Sequence, residues 1–104
     1  MRTLEFTIRN QKLRKSSSSS FRNIIAGSKN YLKAHFTFDE GWVNLVPVAV
    51  FKTDTAEEYI KLKANECMIP NEVTDAPKFR IQVIGVNGNV KVLSSEVTVT
   101  QEKV

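Results

Sequence analysis

Few residues of this chain are of the types that carry catalysis, and their spacing does not group them. His35 is the only histidine and Cys67 the only cysteine. A lone histidine cannot hold a metal, and a catalytic triad needs a nucleophile and an acid placed beside it by the fold. We therefore expect His35 to be a structural or surface residue and Cys67 to be a buried small apolar side chain. The protein is predicted not to be an enzyme.

The other patterns that could carry chemistry are weak. Asp39 and Glu40 are adjacent, whereas the paired carboxylates of glycosidases come from separate elements. The four glycines do not form a phosphate-binding loop. We accordingly predict no catalytic residue, no metal, no cofactor and no small-molecule substrate.

Trp42 joins a large apolar surface to a hydrogen-bond donor, and two interpretations follow. It can plug the open end of a β-sandwich, the role that we favour for a tryptophan after a turn. It can also be a stacking platform for a sugar, together with Tyr31 or Tyr59. The second interpretation would make the protein a carbohydrate-binding module.

Length and composition predict one soluble domain over residues 1–104. The 104 residues suit a single domain, and 41% hydrophobic and 25% charged residues are typical of globular chains. A single cysteine cannot close an internal disulfide. The longest apolar run, Leu45 to Phe51, is interrupted by Pro47 and is far shorter than the roughly 20 residues of a membrane span. Because the first residues alternate, we expect neither a signal peptide nor a membrane partner.

Positive charge is concentrated at the front of the chain. Residues 1–35 contain eight Lys and Arg against one Glu, a balance of +7, whereas residues 36–104 contain seven against ten acidic residues, a balance of −3. A basic front end suits an acidic protein surface or a nucleic acid, and it equally suits a solvated face.

Strand signals recur along the chain. Apolar and polar residues alternate in Leu4–Ile8, Leu32–Phe38 and Phe79–Val83, which is typical of half-buried strands. Asn87-Gly88 predicts a hairpin turn. We count seven to eight short strands and predict an all-β fold, an antiparallel, immunoglobulin-like β-sandwich, with a small barrel as the alternative. The predicted core is Phe6, Leu32, Phe36, Phe38, Val48, Val50, Phe79, Ile81 and Val83.

Residues 11–22 lose this alternation and contain five consecutive serines. Serine runs bury little apolar surface, so we predict a flexible loop here. Its basic residues are the candidate partner-docking residues, Lys12, Arg14, Lys15 and Arg22. A plain spacer is the alternative interpretation.

Several sequence blocks occur in an order that resembles a known family. The blocks are Tyr31–Trp42, with Tyr-Leu-x-Ala-x-Phe-x-Phe before an acidic turn and a Trp, then Val48–Phe51, Cys67–Pro70 and Phe79–Gly85. They resemble a small β-sandwich attachment module of phage and prophage virion proteins, found in upper baseplate proteins and in tail or head fibres. The resemblance covers most of residues 3–100.

This resemblance implies a role in assembly. It includes no fibre shaft or receptor-binding segment, so we expect a capsid decoration protein or a tail or baseplate adaptor, located in the virion after assembly in the bacterial cytoplasm. The implied partners are other virion proteins, with further copies of itself left open. The alternative is a nucleic-acid-binding module that uses the basic first third. We consider it the weaker hypothesis, because only Phe6, Phe21 and Tyr31 offer stacking surfaces there.

Overall fold

The computed structural model describes residues 1–103, and these residues form nine β-strands with little helix. The strands are β1 (Arg2–Arg9), β2 (Lys12–Lys15), β3 (Leu32–Phe38), β4 (Val46–Lys52), β5 (Glu57–Lys61), β6 (Glu66–Met68), β7 (Lys78–Asn87), β8 (Val90–Leu93) and β9 (Val97–Thr100). The helical elements are a 3₁₀ turn (Glu40–Trp42) and one helical turn, α1 (Asn71–Thr74). The predicted all-β sandwich is confirmed, with nine strands in place of seven to eight.

Two sheets make up the sandwich. The first has the order β2-β1-β3-β6, and the second has the order β5-β4-β7-β8 with β9 paired to the beginning of β7.

One pair departs from the predicted antiparallel arrangement, because β1 and β3 run parallel. Residues 16–31 separate β2 from β3 and return the chain to the start of β1, so that Leu32 lies beside Arg2. Parallel neighbours require such a long connection, which a hairpin turn cannot supply. The first sheet is therefore mixed.

The core lies between the sheets. The rings of Phe6 and Phe36 stack at 5.3 Å between centroids, and Phe51 and Phe79 fill the facing sheet edge to face at 6.5 Å. Of the nine predicted core residues, seven are buried, whereas Phe38 and Val48 are half-buried.

Val50 is buried as predicted, whereas the prediction that Val48 is largely buried is wrong. Ala49 and Phe51 point into the core, while Val48 and Val50 lie on the outer face of the second sheet, opposite Ile84 and Gln82 of β7. Because β4 is almost continuously apolar, its sequence contains no period from which the inward residues could be identified.

The predicted flexible loop over residues 11–22 is wrong for its first part. Lys12–Lys15 forms β2, an antiparallel partner of β1, and Leu13 is buried opposite Ile8. The backbone N–H of Leu13 donates to the Ser95 hydroxyl at 3.0 Å, which ties β2 to the segment between β8 and β9. One buried leucine and this hydrogen bond stabilise a strand too short for its alternation to be recognised.

Candidate docking surfaces

The residues that could carry chemistry are separated in the fold. His35 lies on the outer face of the first sheet, where its Nδ1 is 2.7 Å from a carboxylate oxygen of Glu5, the residue beside it on β1. Both side chains are about one-third exposed. His35 is thus a partly exposed residue of a cross-strand pair.

Cys67 lies on β6 beside Ala34 and packs against the core. Burial raises the pKa of its thiol to about 12, and the neighbouring Glu66 carboxylate adds to this shift. Both effects disfavour the thiolate. At neutral pH the sulfur is therefore a protonated, apolar packing group.

Asp39 caps the 3₁₀ turn and anchors the β1–β2 turn. Its carboxylate accepts hydrogen bonds from the backbone N–H of Gly41 at 3.1 Å and of Asn10 at 2.6 Å. Glu40 is exposed. Among residues 1–103, no group of three His, Cys, Asp or Glu side chains comes together as a set of metal ligands.

Trp42 is buried, with 5% of its surface exposed. Its Nε1–H donates to the carbonyl of Asn10 at 2.6 Å, and its ring lies 5.5 Å from the ring of Phe38. The plug interpretation is confirmed, because an indole held in this way offers no face to a sugar. Tyr31 and Tyr59 are exposed.

The register of β1 and β2 creates the most concentrated cluster of charge that we find. Arg9 lies directly opposite Lys12, and Arg14 lies beside them opposite Thr7. The three cations are exposed, and they line one side of a shallow depression together with Thr7 and Asn10. We call Arg9, Lys12 and Arg14 the basic face.

The basic face differs from the rest of the first sheet's outer surface. Lys33 pairs with Glu66 at 3.0 Å, and His35 pairs with Glu5. Within residues 1–103, no carboxylate lies within ion-pair distance of the basic face. Like charges directly opposite each other on neighbouring strands are destabilising, so this arrangement costs folding free energy in the isolated chain.

The structure divides the four predicted docking residues into two groups. Lys12 and Arg14 belong to the basic face. Lys15 instead places its ammonium 5.3 Å from the centre of the Phe21 ring, and Arg22 follows in the connection to β3, where its carbonyl accepts a hydrogen bond from Arg2. Arg9 completes the basic face and was missed by the sequence analysis. A hairpin over Asn10 and Gln11, which pairs Arg9 with Lys12, is the signal that could have identified it.

No family model, curated protein or solved structure matches the chain. The resemblance to phage attachment modules therefore depends on the sequence blocks alone. Over residues 1–103, no helix has the length and apolar character needed to cross a membrane. Fold and surface together define an all-β sandwich whose first sheet presents a basic face.

Proposed function

We propose that this chain is a structural protein of a phage virion, a capsid decoration protein or a tail or baseplate adaptor that docks on a repeated protein surface. Two observations support the proposal. The order of sequence blocks resembles virion attachment modules, and the β1–β2 hairpin presents on one face three cations that form no ion pair within residues 1–103.

The basic face is the observation that carries the docking role. Arg9 opposite Lys12 is an unfavourable pair unless an anionic group binds between or beside them. Arginine binds carboxylates with two parallel hydrogen bonds, and rigid strands hold the side chains more firmly than a loop would. The partner surface that fits is therefore a carboxylate-rich patch of a neighbouring virion subunit.

Mass spectrometry of purified particles tests the location. Particles produced by the host that encodes this chain should contain it in many copies, since decoration proteins and adaptors repeat with the lattice or ring on which they dock. Absence of the chain from particles that are otherwise complete would contradict the proposal.

A matched pair of double variants tests the docking face. Lys12→Gln/Arg14→Gln and Lys15→Gln/Arg22→Gln each remove two positive charges, but only the first alters the basic face. Incorporation into particles should fall severalfold for the first variant. The difference from the wild type should be larger at low than at high salt, because salt screening weakens the wild-type contact as well. Equal incorporation of the two variants would contradict a role for this face.

The nucleic-acid alternative uses the same cations and is distinguished in solution. Titration of the protein with poly-glutamate and with duplex DNA at low salt compares the two kinds of partner. Tighter binding of DNA, with a steep salt dependence that Lys12→Gln/Arg14→Gln reduces, would favour the nucleic-acid alternative over protein docking.

A further inference from the structure

The outer face of the second sheet contains a group of apolar side chains that the core does not use. Val46 of β4 lies opposite Val86 of β7, and Val48 lies opposite Ile84, which itself lies opposite Leu93 of β8. Tyr59 of β5 lies opposite Val50, two residues along β4 from Val48. We call this set the apolar face: Val46, Val48, Tyr59, Ile84, Val86 and Leu93.

Four members of the apolar face are exposed. The exposed fractions are 59% for Tyr59, 45% for Val46, 43% for Leu93 and 38% for Val86, around the half-buried Val48 and Ile84. The outward side of an antiparallel sheet is ordinarily polar where it meets water. Six neighbouring apolar side chains on the outward side of the second sheet depart from this pattern.

Two lysines border the apolar face. Lys61 lies opposite Val48 on the β5 side, and Lys91 lies opposite Val86 on the β8 side. Both are exposed, and no carboxylate within residues 1–103 forms an ion pair with either of them. The nearby Lys52, in contrast, pairs with Glu96 at 3.0 Å. Glu57 of β5 is an exposed carboxylate on the same side of the sheet, opposite Lys52, so Lys61 and Lys91 leave the border net positive.

The apolar face is smaller than a stable protein interface, so a partner that covers it would also contact the bordering lysines. Four residue steps along β4 span about 13 Å, and three strand spacings span about 14 Å, so the face covers on the order of 200 Å². A stable protein interface buries about 800 Å² on each partner. The apolar face therefore suits the centre of an interface, with Lys61 and Lys91 inside its border.

Charge decides between a second copy of this chain and a different partner. Two copies packed through their apolar faces would bring four lysines, Lys61 and Lys91 from each, into one interface against only two carboxylates of the face, Glu57 from each copy. Like charges brought together across an interface cost free energy. A partner surface with an apolar centre and carboxylates at its border would pack on the apolar side chains and would form ion pairs with Lys61 and Lys91.

We propose that the apolar face docks a partner protein of that chemistry, an apolar patch bordered by Asp or Glu. This inference goes beyond the proposed function, because it assigns a second docking surface on the opposite side of the sandwich from the basic face. It does not depend on the chain being a virion protein. With both faces occupied, one copy of the chain connects two partners.

Two synthetic amphipathic peptides serve as probes. Both carry leucines along one side, and these are flanked by glutamates in the first peptide and by lysines in the second. In ¹⁵N-labelled protein, the glutamate peptide should shift the amide signals of β4, β5, β7 and β8, while the lysine peptide should bind at least several times more weakly. Shifts confined to β1 and β2, or equal affinity for the two peptides, would overturn the proposal.

Variants separate the apolar contribution from the charge. Tyr59→Ser/Leu93→Ser should weaken binding of the glutamate peptide about tenfold or more. Lys61→Gln/Lys91→Gln should weaken it about two- to tenfold. The matched control is Val43→Ser/Val90→Ser, which removes two exposed apolar side chains outside the face and should leave binding unchanged. A control variant as damaging as Tyr59→Ser/Leu93→Ser would overturn the proposal.

Two further measurements complete the test. In Lys12→Gln/Arg14→Gln the glutamate peptide should shift the amide signals of β4, β5, β7 and β8 as it does in the wild type, whatever happens to signals of β1 and β2, so that failure of the basic face and failure of the apolar face are distinguishable. Sedimentation of the wild-type protein should show a monomer. A dimer that Tyr59→Ser/Leu93→Ser dissociates would identify a second copy as the occupant and overturn the acidic-partner proposal.

Discussion

Gly85 determines how closely the 3₁₀ turn packs on the second sheet. A Cβ atom at this position would lie 2.7 Å from Cζ3 of Trp42 and 2.8 Å from Cδ1 of Leu45. These distances are shorter than any van der Waals contact between carbons. Because Gly85 has no side chain, the indole of Trp42 can lie against the sheet. The Nε1–H of the same indole donates to the carbonyl of Asn10.

The variant Gly85→Ala should destabilise the fold by about 1–3 kcal/mol, because an added methyl group in a packed site forces side chains from their rotamers. Urea unfolding followed by Trp42 fluorescence measures the loss and also reports displacement of the indole. Gly88→Asn is the control, since Gly88 has a φ of +57° that Asn tolerates, and a Cβ added there meets no atom within 4 Å. A Gly85→Ala variant as stable as this control would contradict the packing described.

The Cys67 thiol links alkaline pH to stability. Its pKa rises from 9.0 to about 12 on folding, so the unfolded chain loses the proton first as pH increases. The stability that the folded state gains from holding the thiol protonated is fully present below about pH 9, and it is lost as the pH rises toward 12. Wild type should lose more unfolding free energy between pH 8 and 10.5 than Cys67→Ala.

Comparison with Cys67→Ala isolates the contribution of the thiol, because the two proteins share every other side chain. Thiol labelling at pH 8 gives an independent readout, since a buried, protonated thiol should react far more slowly than the thiol of the urea-unfolded chain. Equal labelling rates, or parallel pH profiles of the two proteins, would show that Cys67 is not held as a neutral group.

Sequence alone explained these residues only in part. A lone cysteine and a tryptophan after a turn have common structural roles, and both interpretations agree with the packing found here. The partner of His35 could not be predicted, because Glu5 reaches it through a parallel pair of strands. Sequence spacing does not identify which distant strands will become neighbours.

Among the elements, β2 is the one whose prediction failed most clearly. It has four residues, and three of them are charged, so its composition is that of a loop. Short, charged edge strands resist pairing with other chains. Two of the charged residues that make β2 difficult to recognise in the sequence, Lys12 and Arg14, form part of the basic face.

Leu13→Ala should cost about 2–5 kcal/mol of unfolding free energy, because Leu13 fills the core beside Ile8. In a mobile loop the same substitution would cost almost nothing. Leu93→Ala is the matched control, since Leu93 is 43% exposed and should cost about 1 kcal/mol or less. Chemical denaturation of both variants decides whether β2 contributes to the stability of the fold.

The strands with strict alternation were predicted most accurately. In β3, and in β7 from Phe79 to Val83, every second residue is apolar, and Leu32, Phe36, Phe79 and Ile81 are buried as expected. In β4 the apolar run has no alternation, and its register is set by pairing with β7. Periodicity thus predicts the inward side of a strand only where its outer side is polar.

At the scale of the whole molecule, the two candidate surfaces belong to different sheets. The basic face lies outside the first sheet and the apolar face outside the second, with the shared core between them. The net charge of +4 indicated that a partner would be acidic, but it did not indicate where on the molecule that partner would bind. Position depends on cross-strand register, and this is why Arg9 joined the basic face while Lys15 and Arg22 did not.

The last prediction concerns the stability cost of the basic face. Arg9→Gln removes the repulsion between Arg9 and the opposite Lys12, so it should stabilise the isolated protein by about 0.2–1 kcal/mol at 20 mM salt. At 1 M salt the Debye length is only about 3 Å, and the gain should largely disappear. Urea unfolding followed by Trp42 fluorescence at the two salt concentrations measures both values.

A matched variant separates this local repulsion from the charge of the whole molecule. Lys63→Gln also lowers the net charge from +4 to +3, but Lys63 lies in the turn between β5 and β6, away from the basic face. It therefore measures the part of the gain that comes from total charge. Arg9→Gln should exceed it at low salt and equal it at high salt. If the two variants gave equal gains at 20 mM and at 1 M salt, Arg9 and Lys12 would not repel each other, and the basic face would contain no repulsion for an acidic partner to relieve.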